Sequence, residues 1–171
     1  DSQTKYTLLL HDDDRLCPDF LEAQMQLLDS NAAIVAASAN GYFIDGNGVR
    51  NGRTLAPVEG VNSVEVYVCS GHVAMKYASN SCVPFSPAVY RSEIARSMKF
   101  REEFGKVADA VYFCDLADIG YVAYQTRPLY ESRLHSGQDS KSFPYDLMNQ
   151  LERFFESRTC LNKVEQVKLR A

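Results

Sequence analysis

The chain has 171 residues, 46% hydrophobic and 23% charged, with a net charge of −4. That length suits one domain with a real core, and the acidic balance excludes a generic nucleic-acid partner. No apolar run is long enough to cross a bilayer. In chain order, residues 5–10 read as a buried strand that runs into His11 and three aspartates, Asp12, Asp13 and Asp14. Pro18 then opens an amphipathic helix over 19–29, with Phe20, Leu21, Met25 and Leu28 placed on one face. Ala33–Ala37 reads as a short buried strand, and 41–52 as a strand entering a hairpin turn at Asp45-Gly46-Asn47-Gly48. Over 64–68, Val64, Val66 and Val68 alternate with Glu65 and Tyr67, the pattern of a strand, although a loop entering a helix at 70–79 is the other reading.

The stretch 83–90 carries Pro84 and Pro87 and is not expected to form a regular central strand. A short helix is expected from Arg91 to Met98, and a longer one over 109–119 with Gly120 as its stop. Two short strands are expected at 121–124 and 129–134, then an amphipathic helix over 144–158 with Leu147, Leu151, Phe154 and Phe155 inward. Alternating strands and helices make the class α/β. In such sheets sites gather beyond the carboxyl ends of the strands, where His11 to Asp14 would lie. The five cysteines, Cys17, Cys69, Cys82, Cys114 and Cys160, include no CxxC pair. That spacing suggests no structural zinc site. They are read as buried free thiols of a protein in a reducing cytosol.

Three constellations could carry chemistry. The first is His11-Asp12-Asp13-Asp14, since hard divalent cations such as Mg²⁺ and Mn²⁺ take carboxylate oxygens and complete their shell with water and phosphate. The bland reading of the same run is a solvated acidic turn capping the next helix. The second is Asp109, a helix N-cap on ordinary grounds and a general base on functional ones. The third is Tyr130 to Ser140, where Arg133 and His135 would share one face of a strand. They could bind a diphosphate there, or simply form an exposed polar edge.

Taken in order, these segments resemble the family 2 glycosyltransferases, which have the GT-A fold, over about 5–140. YTLLLHDDDRLCPDFL looks like that family's strand, DxD motif and following helix. FREEFGKVADAVYFCDLADIGYVAYQTRPLYESRLH is similar to its acceptor-side segment, RLHSGQDS to its closing loop, and VPFSPAVYRSEI, with Pro84 and Arg91, to the stretch between. The resemblance implies a partial GT-A fold, a mixed sheet with flanking helices. It implies a divalent cation (Mg²⁺ or Mn²⁺) on Asp13 and Asp109 as catalytic base. It also places His11, Asp12, Asp14, Arg133 and His135 near the donor's diphosphate or ribose. Two departures stand out. His11 replaces the motif's first aspartate, and Ala108 stands where the family has a glutamate before the base. The family's nucleotide-binding half would precede residue 1, so the chain reads as a fragment of a longer transferase, with a sheet edge left open to pairing.

The resemblance thus implies inverting sugar transfer from a nucleotide-diphosphate sugar to a saccharide or lipid-linked saccharide acceptor. Residues 1–143 would form the DxD and acceptor-side part, and 144–171 a C-terminal amphipathic helix and tail packed on it. A cytoplasmic location is expected, with membrane association through the longer protein or its acceptor. No nucleic acid is expected as a partner, and a homodimer is a candidate assembly. Two rival readings are a non-catalytic GT-A-like binding module and a metal-dependent phosphotransferase or nucleotidyltransferase. The last lacks a Gly-rich phosphate loop in this chain. The tail over 144–171 has five Lys or Arg against four Asp or Glu, too little charge to argue for a membrane surface.

Overall fold

The computed structural model describes residues 4–58, 62–79, 82–134 and 145–158. Its elements are β1 (Tyr6–Leu9), β2 (Arg15–Leu16), α1 (Phe20–Ser30), β3 (Ile34–Ile44), β4 (Arg50–Thr54), β5 (Val64–Tyr67), α2 (Ser70–Ala78), β6 (Ala88–Arg91), α3 (Ser92–Ser97), a 3₁₀ segment (Glu102–Val107), α4 (Ala108–Ile119), β7 (Tyr121–Arg133) and α5 (Tyr145–Glu156). Seven strands form one mixed sheet in the order β1-β6-β3-β7-β2, with β4 added beside β3 and β5 beside β7. The architecture is mixed α/β, a curled sheet with flanking helices.

Strand direction decides where the loops meet. β1 and β3 are each antiparallel to β6, and β3 is parallel to β7, so β1, β3 and β7 all run the same way. Their carboxyl ends, at Leu9, Ile44 and Arg133, therefore face one edge of the sheet. α4 leads directly into β7 and packs back against it, which carries the amino end of α4 toward that same edge.

Side chains alternate across the sheet and build a core on each face. Ala36, Tyr90, Val122 and Tyr124 face α2, α4 and α5. α4 is buried on nearly every side, through Ala110, Val111, Tyr112, Phe113, Cys114, Leu116 and Ala117. Ala37, Ala39, Val89, Ala123 and Leu129 face α1. α5 packs through Leu151, Phe154 and Phe155 as its spacing predicts. The Phe154 ring lies 5.3 Å from that of Phe104.

Several expectations are corrected. On α1 the buried face is Phe20, Ala23, Gln24 and Leu28, while Leu21 and Met25 are exposed. Both ends of the helix are anchored by arginines. Arg127 Nη1 pairs with Asp19 at 2.5 Å, and Arg91 donates to the Leu28, Asn31 and Ile34 carbonyls at 2.5, 3.2 and 2.8 Å. Those anchors turn small Ala23 toward the alanine-rich sheet below it. Residues 88–91 form a central strand after all, because Pro84 and Pro87 both precede its first paired residue. The segments 121–124 and 129–134 belong to one continuous β7, which pairs with β3 through register shifts.

Gly120 ends α4, but in an extended conformation rather than a left-handed one. A Cβ there would sit 2.3 Å from Val35 Cγ1 and 2.9 Å from the Ala33 carbonyl, so the residue is glycine for closeness of packing. Cys17, Cys82 and Cys114 are free, as expected, whereas Cys69 is disulfide-bonded. Free thiols thus hold for three cysteines and fail for Cys69, and a reducing compartment loses its support. Among the described residues no helix is long and apolar enough to cross a membrane.

Gln24 is fully buried under α1, and neither its Oε1 nor its Nε2 has a hydrogen-bond partner. An unpaired buried amide costs free energy that an apolar side chain of similar volume avoids. Gln24→Met is expected to stabilise the fold by about 1–2 kcal/mol. Urea unfolding reads this directly, and a loss of stability would show that the amide is satisfied.

Candidate functional site

The turn between β1 and β2 must cross from one margin of the sheet to the other, because β6, β3 and β7 lie between those strands. It is held at several points. At its start, the His11 N–H donates to Ser86 Oγ at 2.7 Å. Inside it, the Asp14 N–H reaches the His11 carbonyl at 3.4 Å. At its end, the Arg133 N–H donates to Asp14 Oδ1 at 3.0 Å and Arg133 Nε to the Asp13 carbonyl at 2.9 Å. The Arg133 guanidinium also donates, through Nη1, to the Asp45 and Gly46 carbonyls, both at 3.0 Å. One arginine at the end of β7 thus fastens together the turns that follow β1 and β3.

The second of those turns has its own chemistry. Asp45 Oδ1 accepts from the Asn47 and Val49 N–H groups, both at 2.9 Å, the Asx-turn pattern. Gly48 has φ of 82° and lies against Arg15, whose Nη1 would be 3.0 Å from a Cβ at that position. Arg15 Nη2 donates to the Gly48 carbonyl at 2.8 Å and pairs with Glu131 at 2.7 Å, a carboxylate that Arg50 also engages at 2.7 Å.

This scaffold brings His11, Asp13 and Asp14 together, each offering a ligand atom within 4.8 Å of the others. His11 Nδ1 stands 3.8 Å from Asp14 Oδ2, with the histidine side chain 64% exposed and the aspartate 5%. Burial pushes the Asp14 carboxyl above its ordinary range and the neighbouring Asp13 charge adds to this, against the Arg133 N–H bond and the His11 and Arg133 charges. Two carboxylates and one imidazole are donors that Mn²⁺ accepts readily, and Mg²⁺ accepts the oxygens of the same set. The chemistry of the residues therefore fits a divalent cation. Asp12 is exposed at the tip of the turn.

Asp109 lies in the first turn of α4, but Val107 holds the N-cap position and no side chain caps the helix. The N-cap reading of Asp109 is corrected accordingly. Its Oδ1 accepts from the Ala110 N–H at 2.8 Å. Burial raises its pKa, while that hydrogen bond and the charge of His11 pull the other way. The Asp109 charge is in turn felt by Tyr77, Cys82 and Tyr90, and the Cys82 thiol is pushed up to about 11, by burial first and then by Asp109. The acidic turn and Asp109 are thus electrostatic neighbours across the carboxyl edge of the sheet.

Of the residues singled out from sequence, His11, Asp13 and Asp14 form one cluster, and Asp109 is outside it, with an electrostatic interaction with His11. Arg133, expected near a diphosphate, sets its guanidinium on backbone carbonyls of both turns. His135, with the rest of residues 135–144, lies outside the described residues. Ser86, Asp45 and Arg15, which hold the turns in place, carry no sequence signal beyond a Ser-Pro pair and an Asp-Gly turn. No protein-family model matches the chain, and no curated protein matches it.

Arg133→Lys is expected to weaken the fold by about 2 kcal/mol, because one ammonium cannot replace a planar fork spread over three carbonyls. Urea unfolding with unchanged stability would show that the clamp contributes nothing.

Proposed function

We propose that this chain carries the cation-binding and acceptor-activating part of a GT-A-type glycosyltransferase, moving a sugar from a nucleotide-diphosphate donor to an acceptor hydroxyl with inversion. The observation that carries the reading is the His11, Asp13 and Asp14 cluster, set at the carboxyl edge of the sheet within electrostatic reach of the half-buried Asp109. The order of segments along the chain and its resemblance to family 2 glycosyltransferases support it further.

In this reading His11, Asp13 and Asp14 would hold a divalent cation, whose charge offsets the charge gathering on the departing diphosphate. Asp109 takes the proton from the acceptor hydroxyl as that oxygen attacks the anomeric carbon. The sugar–phosphate bond breaks on the opposite side, and the bonding electron pair leaves with the nucleoside diphosphate. A carboxyl whose pKa is raised by burial is a better proton acceptor than an ordinary surface aspartate. Arg133 keeps the cation-side turn in register with the turn after β3, a positioning role. His11 contributes one imidazole donor.

The raised pKa of Asp109 has opposite signs for rate and stability. Transfer needs the carboxylate, so it is lost as pH falls through the raised value. Burial favours the neutral form, so its stability contribution is complete below the ordinary carboxylate range and is lost as pH rises through the folded-state value. Asp109→Asn is therefore expected to lower turnover by about 10²–10⁴-fold while leaving donor affinity unchanged. At neutral pH the same variant should melt at a higher temperature than the parent. A donor-consumption assay with Mn²⁺ or Mg²⁺ checks the first part, and near-normal turnover would remove Asp109 from the role of base.

A second reading, a non-catalytic GT-A-like binding module, is favoured by two observations. A histidine stands at the first DxD position, and the Arg133 guanidinium is engaged on backbone carbonyls. It predicts no donor consumption by the parent protein under any divalent cation.

A further inference from the structure

Among the described residues, nothing covers the edge or one face of the strand at the far margin of the sheet. β5 pairs antiparallel with β7, with Val66 opposite Ala123 and Tyr67 opposite Val122. Opposed residues share a face of the sheet. Tyr67 and Val122 are buried on the side of α2 and α4. Ala123 is buried under α1, yet Val66 beside it is 42% exposed, and Val64 and Val68 are 43% and 46% exposed. α1 covers β7 and stops short of β5, which leaves a row of three valines in water.

Two of these valines, Val64 and Val66, lie on the open edge of β5. The Thr126 N–H donates to the Ser63 carbonyl at 3.0 Å, so residue 63 bonds inward to β7. In an antiparallel ladder the bonded pairs alternate, so 65 and 67 also bond inward while 64 and 66 direct their N–H and C=O groups outward, with Val68 just past the end of β5. Among the described residues no strand takes up those groups. The exposed face carries no lysine and no proline, so the edge is guarded only by the inward-facing Glu65. Glu65 lies on the other face, paired with Lys76 at 2.9 Å and hydrogen-bonded by Tyr67.

We propose that two copies of this chain associate through β5, edge to edge and antiparallel, continuing the sheet across a twofold axis at Val66. The register follows from charge and pattern. With Val66 opposite the second copy's Val66, Val64 meets Val68 of the second copy, and all the exposed valines form one stripe. In that register Glu65 faces the second copy's Tyr67, repeating a contact these residues already make within one chain. A shift that centres the axis on residue 65 would set two Glu65 carboxylates against each other, the like-charge pair that destabilises a strand pair. The strand is thus self-complementary, as an isologous interface requires. A seam of five residues per copy is smaller than the standard interface of about 1,600 Å². The dimer is therefore reversible and falls apart on dilution.

Sedimentation velocity of the 171-residue chain over a dilution series tests this. The parent should shift from monomer toward dimer with concentration. Val66→Lys and Val66→Glu should each abolish the dimer, since each sets like charges opposite one another, with far-ultraviolet circular dichroism unchanged. Mixing the two variants should restore a one-to-one dimer, which a folding defect in either would not allow. A parent that stays monomeric at every concentration, a dimer that survives the single substitutions, or a mixture that stays monomeric would overturn the proposal.

Discussion

The arrangement at the carboxyl edge of the sheet depends on the Arg133 guanidinium. It closes hydrogen bonds to the carbonyls of Asp13, Asp45 and Gly46 while the backbone N–H of the same residue holds Asp14. Those acceptors belong to two turns far apart in sequence, one after β1 and one after β3. They meet because β1, β3 and β7 run in one direction and end on one edge. Three adjacent aspartates repel one another, and a free turn would splay them apart. The clamp holds the chain so that Asp13 and Asp14 converge with His11 instead.

That convergence has an energetic consequence. Asp14 is nearly buried beside another carboxylate, and burial also raises Asp109, whose charge is felt by Tyr77, Cys82 and Tyr90. Both carboxyls are raised by burial, so both charges work against the fold. Groups arranged at such a cost are more typical of a site that handles charge than of a solvated cap. Geometry separates the two: Asp14 belongs to a set of ligand atoms within 4.8 Å of one another, and Asp109 is not among them.

Much of this is legible in the sequence, and the failures have physical causes. The strand, the acidic turn, the hairpin at Asp45 to Gly48 and the burial of Leu151, Phe154 and Phe155 follow from period, turn chemistry and charge. The face of α1 does not, because Arg91 and Arg127 fix its roll from outside the helix and turn Gln24 inward in place of Met25. Pro84 and Pro87 hide a central strand because a proline restricts the residues at and before it, and β6 begins just after. Asp109 resembles a cap because Asp is favoured there, yet the chain enters α4 through a 3₁₀ turn that gives the cap position to Val107. The role of Arg133 as a clamp needs three chain segments at once, and no local pattern encodes that. The disulfide at Cys69 is likewise a tertiary fact.

The most direct test of the account is anomalous diffraction at the manganese edge from crystals soaked in Mn²⁺. It predicts a peak bounded by His11, Asp13 and Asp14, and its loss in Asp13→Asn. Manganese bound elsewhere, or an acidic turn that stays without metal at saturating Mn²⁺, would contradict it.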